Sequence, residues 1–186
     1  MSKLIYPMMT TLDGWISRPG GELDWVRVDD ELHGFINAQQ SNVDAYLLGR
    51  TTYEMMEAYW PTADQDPDTP GYVADYARIW REMPKVVFSS TLEQVSGNAR
   101  LVSGDAATEI ARLKSEASRD LSIGGPTLAA SVLDLIDEFH IFLNPVAIGR
   151  GAPLVPGLAQ TLNLRLAESR AFDLGVMFLR YGREEA

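Results

Sequence analysis

Leu47-Leu48-Gly49-Arg50-Thr51-Thr52-Tyr53-Glu54 reads as a buried strand passing directly into a helix. The run Asp44 to Leu48 is short and mostly apolar, like a strand covered on both faces. Gly49 lets the backbone turn, and the next residues open a helix expected over Thr51 to Tyr59. Strands that alternate with helices build a mostly parallel sheet. An arginine and two hydroxyls at a helix start, beside free backbone N–H groups, make a site for a phosphate-type anion. A plainer reading also stands: Thr51 as N-cap, with Glu54 completing a capping box.

The same strand-to-helix pattern recurs on both sides. Leu4 to Met9 is expected as a first strand, running into Thr10-Thr11-Leu12-Asp13-Gly14-Trp15. Lys85 to Ser89 is a second case, ending in Ser89-Ser90-Thr91. Leu121 to Ile123 is a third, followed by Gly124-Gly125-Pro126-Thr127. Pro126 falls where the first residue of a helix tolerates proline, and that helix is expected to reach about Leu135. Further helices are expected over Asp29 to Gln40, Tyr72 to Met83 and Asp105 to Ala117. Val73, Tyr76, Ala77 and Trp80 give the second of these an apolar face. After Asp137 the period becomes two. Strands are expected at Phe139 to Leu143, around Leu162, Leu164 and Leu166, and at Val176 to Tyr181 beyond a turn at Asp173-Leu174-Gly175. The expected fold class is therefore α/β: a three-layer sandwich with a mostly parallel central sheet and an antiparallel C-terminal edge. One domain is expected over residues 1–186, with Pro61 to Gly71 as a surface excursion.

Composition narrows the function. At 46% hydrophobic and 23% charged residues, the 186-residue chain is an ordinary globular one. It has no cysteine and two histidines, so a thiolate nucleophile, disulfides and a histidine-rich metal site are not expected. No run approaches the ~18 apolar residues of a membrane span. No signal-peptide core follows Met1-Ser2-Lys3-Leu4, and a cytoplasmic location is expected. The net charge of −10 makes nucleic acid and anionic membranes poor partners. Residues 1–93 carry 7 basic and 15 acidic side chains, so an anionic ligand must be held by local donors.

Common fingerprints are missing. Gly149-Arg150-Gly151 is not completed as G-x-G-x-x-G, because position 154 is Leu154. Neither a P-loop nor a G-x-S-x-G elbow occurs. Ligands of open α/β sheets lie beyond the carboxyl ends of the strands, so the loops there hold the candidates. Ser89 and Ser90 can hold a ribose or its phosphate, or only satisfy a turn. Gly124 and Gly125 let a ligand lie against bare backbone, or serve a tight turn. Asp13 beside Gly14 is a turn former or a functional acid. Trp15 and Trp25 roof a pocket for a flat ring, or act as packing anchors. His33 is the one group of that region with an ordinary pKa near neutrality. His140 reads as sheet surface or interface.

Taken in order, these junctions resemble the dihydrofolate reductase-like superfamily, and within it the bacterial deaminase-reductase C-terminal (RibD-like) reductase domain. The resemblance rests on Thr11-Leu12-Asp13-Gly14, on Leu48 to Glu54, and on Ile123-Gly124-Gly125-Pro126 followed by Leu135-Ile136-Asp137-Glu138. Pro145 to Leu154 also fits. It implies NADPH as hydride donor, held by Gly49, Arg50, Thr51 and Thr52 at the pyrophosphate and by Ser89 and Ser90 near the 2′-phosphate. Gly124, Gly125, Pro126 and Thr127 would line the nicotinamide side. Thr11, Trp15 and Trp25 would meet the substrate. Water, Asp13 or His33 would supply a proton, His33 standing at the helix position that resembles the acid of folate reductases. Trp15 stands where riboflavin-pathway reductases usually carry lysine. The resemblance implies a reductase of a small heterocycle, similar to 5-amino-6-(5-phosphoribosylamino)uracil reductase, and a homodimer. A pterin reductase and a non-catalytic nucleotide-binding module remain the alternatives.

Overall fold

The computed structural model describes residues 2–184; Met1, Glu185 and Ala186 lie outside them. The strands are β1 (Leu4–Thr11), β2 (Trp15–Ser17), β3 (Ala45–Gly49), β4 (Lys85–Phe88) and β5 (Ala99–Val102), then β6 (Leu121–Gly124), β7 (Glu138–Asn144), β8 (Ala152–Pro153), β9 (Leu164–Ala171) and β10 (Met177–Arg183). The helices are α1 (Asp30–Gln40), α2 (Arg50–Glu57), α3 (Gly71–Glu82), α4 (Ala106–Glu116) and α5 (Pro126–Ser131). Eight strands form one sheet in the order β5-β4-β3-β6-β1-β7-β10-β9. Pairing is parallel from β5 through β7. β10 runs antiparallel to both β7 and β9. The expected parallel centre and antiparallel edge are both present.

Alternation along each strand sorts side chains to two faces. Ala45 and Leu47 of β3 join a core with Leu4, Tyr6, Val86, Phe139 and Ile141, covered by Ile110 of α4 and Leu128 of α5. Tyr46 and Leu48 point the other way and pack with Tyr53 of α2 and with Tyr76, Ile79 and Trp80 of α3. Leu32, Phe35 and Ile36 of α1 cover Phe142 and Phe178 at the β7–β10 end of the sheet. Helices thus cover both faces, in three layers. That explains why the central strands read as unbroken apolar runs.

Several local expectations need correcting. Gly49, not Thr51, is the N-cap of α2, and no side chain caps that helix. The capping-box reading therefore fails. The helix that begins at Pro126 stops at Ser131. Val132 leaves helical geometry (φ −128°, ψ 27°), and a 3₁₀ turn follows over Leu133–Leu135. The strand expected around Leu162 starts at Leu164 and continues to Ala171. β5 and the separate β2–β8 ribbon have no counterpart among the expected strands. His140 is not a surface residue. It is buried, with Nε2 3.0 Å from Glu138 and Nδ1 3.3 Å from Gln39. Among the described residues, no helix is long and apolar enough to cross a membrane.

Candidate functional site

β3 and β6 are neighbours, with Leu48 opposite Gly124 at their carboxyl ends. Yet the helices that follow them leave toward opposite faces: α2 packs its Tyr53 in one core and α5 its Leu128 in the other. Diverging connections between adjacent parallel strands open a crevice, which is where open α/β sheets bind ligands. A cleft of about 350 Å³ lies there, lined by Gly49, Arg50, Thr51, Thr52, Phe88, Gly125, Pro126, Thr127, Leu128 and Ser131. Residues 75 positions apart in the chain thus meet at one corner.

The chemistry of this corner suits an anion. Arg50 is the one charged residue in its lining. Neither α2 nor α5 has a side-chain N-cap bond, so first-turn N–H groups of both helices stay available. Threonine hydroxyls from both elements border it. The two glycines have different reasons. A Cβ on Gly124 would sit 2.8 Å from Leu48 Cδ2 and 3.4 Å from Thr52 Cγ2, so that glycine allows close packing of β6 against α2. Gly125 has φ +104°, and a Cβ there would lie 2.9 Å from the Thr52 hydroxyl and 3.6 Å from the Gly49 nitrogen. It keeps the corner open where L side chains are strained as well as crowded. This donor set, with no carboxylate in it, fits the phosphates of a dinucleotide.

Ser89 and Ser90 do not line the cleft; Phe88, from the end of β4, does. The Ser89 hydroxyl oxygen accepts N–H bonds from Thr91 (3.1 Å) and Leu92 (3.0 Å), which is the turn-forming role.

The loop after β1 is tied down elsewhere. Thr11 is fully buried; its hydroxyl donates to Asp13 (2.6 Å) and accepts the Trp15 N–H (3.0 Å). Asp13 accepts N–H bonds from Gly149 (2.7 Å) and Ile148 (3.2 Å). The Thr11 hydroxyl first, then these backbone groups, hold its carboxyl below the usual carboxylate range. Trp15 is half-buried in β2, opposite Pro153. Trp25 is buried, and its indole N–H has no partner among the described residues.

His33 sits in an aromatic cluster on α1. Its ring centroid is 4.9 Å from Tyr72, 5.7 Å from Tyr76 and 5.9 Å from Trp60. The Asn37 side-chain N–H donates to the Tyr72 carbonyl (2.9 Å), which turns the Asn37 oxygen toward His33 Nδ1 (2.9 Å). Nδ1 therefore carries the hydrogen. Burial pushes the His33 pKa down, so the ring is neutral at pH 7. The cluster abuts the helix that borders the cleft: the Trp60 indole N–H donates to Met56 Sδ (3.3 Å), one turn beyond Thr52 on α2. Trp60 and Tyr72 flank the Pro61–Gly71 excursion, more than 25 positions away in sequence, and no local pattern announces the contact.

A family model described as RibD C-terminal domain matches residues 2–178. The chain belongs to the RibD C-terminal domain family. Among its curated relatives is YyaP of Bacillus subtilis (strain 168), 30% identical over 182 residues, 96% of this chain and 94% of that one. A solved structure of a putative riboflavin biosynthesis protein from Shewanella sp. PV-4 is 28% identical, with a TM-score of 0.74, covering 98% of this chain and 99% of that one. Dihydrofolate reductase from Enterococcus faecalis, solved with NADP(H), is 13% identical with a TM-score of 0.65 over 98% of this chain and 97% of that one. The last likeness shows that the RibD-type chain shares the dihydrofolate reductase-like fold.

Proposed function

We propose that the protein is an NADPH-dependent reductase of a small, flat heterocycle. The observation that carries this reading is the corner where Arg50, Thr51 and Thr52 of α2 face Gly125 and Thr127 of α5. It offers a cation, hydroxyls and N–H groups, and it has no room for a Cβ at its centre. Membership of the RibD C-terminal domain family supports the reaction class, and the Shewanella relative, described as a putative riboflavin biosynthesis protein, supports the area of metabolism. When bound, the nicotinamide supplies the hydride. The protein's own part is to hold the phosphates, position the ring and exclude water. Water is the proton source in this reading. Asp13 is held ionised by its three donors, and His33 is neutral with its Nδ1 hydrogen committed to Asn37.

NADPH should quench or shift the fluorescence of the four tryptophans and saturate below millimolar concentration. NADPH consumption should follow with at least one member of a panel of pterins, deazapterins and ketose-amines. Binding without consumption across the panel would favour a nucleotide-binding module. No saturation would reject the cofactor itself. Arg50→Ala should weaken NADPH binding by about 1.5–3 kcal/mol, the worth of a charge-assisted hydrogen bond. Unchanged affinity would remove Arg50 from the site.

The chain is also proposed to form a homodimer, located in the cytoplasm. Phe139 and Ile141 are covered by the chain's own helices, but Leu143, Leu162, Leu164, Leu179 and Tyr181 at the β9 end are only half-buried, and Leu166 is exposed. Light scattering should report twice the mass of one chain; a single-chain mass would reject the dimer.

A further inference from the structure

The loop that follows β1 and the loop that follows β7 are joined by an unusual density of contacts. Leu12 N–H donates to the Val146 carbonyl (2.7 Å), and Leu154 N–H donates to the Gly14 carbonyl (3.1 Å). Beyond the second of these bonds, Trp15 pairs with Pro153 and Ser17 with Ala152 in the β2–β8 ribbon. Gly151 lies so close to β2 that a Cβ would come within 1.9 Å of the Ser17 carbonyl oxygen. Between Leu12 and Gly14, on the exposed side of this seam, one side chain adds to the backbone pairing. Asp13 accepts the N–H of Gly149 at 2.7 Å and that of Ile148 at 3.2 Å to each oxygen, while its Oδ1 also receives the Thr11 hydroxyl at 2.6 Å.

From this geometry we infer that Asp13 is a positioning residue, the pin of a clip that makes the loops 12–17 and 145–154 move as one body. A carboxylate that accepts three donors, one of them shared between its two oxygens, is committed to holding this seam, and it has no proton to give at neutral pH. Two of these donors come from residues 135 and 136 positions away, so the bonds serve to join segments and do not merely shape a local Asp-Gly turn. The Thr11 hydroxyl then passes the constraint inward, accepting the Trp15 N–H, and the Thr10 hydroxyl donates to the Trp15 carbonyl (3.1 Å). Both peptide groups of Trp15 are thereby fixed relative to the end of β1. The clip sets where Trp15 stands at the carboxyl edge of the sheet. Its bearing on catalysis rests on the reductase reading above; the mechanical claim does not.

Amide hydrogen exchange on the full chain tests the mechanical claim without any ligand. In Asp13→Ala, exchange at Ile148 and Gly149 should quicken by about tenfold or more, as expected for losing a charge-assisted bond. Amides inside β1 and β7 should keep their protection. Asp13→Asn retains an acceptor oxygen and should restore part of the protection. With a heterocycle that the wild type reduces, Asp13→Ala should raise KM more than it lowers kcat, and Asn should recover part of the loss. Unchanged exchange at 148 and 149 would overturn the clip. So would an equal loss of kcat in Asn and Ala variants with exchange preserved, which would mark Asp13 as an acid of the reaction. If the wild type consumes no NADPH, the reductase reading fails, while the exchange measurement still decides the clip.

Discussion

Gly125→Ala should cost NADPH affinity about tenfold or more while leaving the chain folded. Two effects add. A non-glycine residue at φ +104° bears backbone strain of about 1–3 kcal/mol. The new methyl, at the start of α5, would also stand 2.9 Å from the Thr52 hydroxyl and 3.6 Å from the Gly49 nitrogen, both at the α2 side of the anion corner. Relief requires α2 and α5 to separate, and that moves the first-turn N–H groups off the phosphates. Fluorescence titration with NADPH measures the loss, and circular dichroism checks the fold. Gly124→Ala is the useful contrast. Its methyl meets the end of the Leu48 side chain at 2.8 Å, in the core, and touches Thr52 only at its methyl group, at 3.4 Å. It should lower stability more than affinity. Wild-type affinity in Gly125→Ala would contradict the placement of the phosphates.

The largest effect on stability is expected at Gly151. A Cβ there would lie 1.9 Å from the Ser17 carbonyl oxygen, 3.1 Å from its carbon and 3.3 Å from Trp15 Cβ. The nearest partner is backbone, so no rotamer change relieves the contact. Gly151→Ala should therefore open the β2–β8 ribbon. The cost should fall at the upper end of overpacking substitutions, about 3 kcal/mol. For a chain of this size that lowers Tm by about 10 °C, at about 2–4 °C per kcal/mol. Thermal unfolding gives the shift, and faster amide exchange at residues 15–17 locates it. A Tm within 2 °C of wild type would show that the two loops are not seated against each other as described.

The parts legible in the sequence were those fixed by neighbours in the chain. Gly49-Arg50 and Gly124-Gly125 announce strand ends because turn residues follow apolar runs directly, and both junctions meet in one cleft. The period-2 signal after Asp137 gave the antiparallel edge, which Glu138–Asn144 and Met177–Arg183 form. What was not legible depends on partners far away. Ala99–Val102 is a four-residue edge strand without a fully buried residue, so no apolar run marks it. Asp13 reads as a turn former beside Gly14, and nothing local reveals that it takes N–H bonds from residues 148 and 149. His33 presents an unremarkable helix position, yet Trp60, Tyr72 and Tyr76 surround it and burial lowers its pKa. The hydroxyls of Ser89 and Thr11 are polar groups of suitable type whose hydrogen bonds are already spent within the fold.

The most direct test of the whole account is a crystal structure of the protein saturated with NADPH. The expected result is pyrophosphate oxygens between the Arg50 guanidinium and the N–H groups that open α2 and α5, with the backbone of Gly125 in contact with the cofactor. A saturated complex that leaves this corner empty, with the dinucleotide bound at another part of the surface, would contradict it.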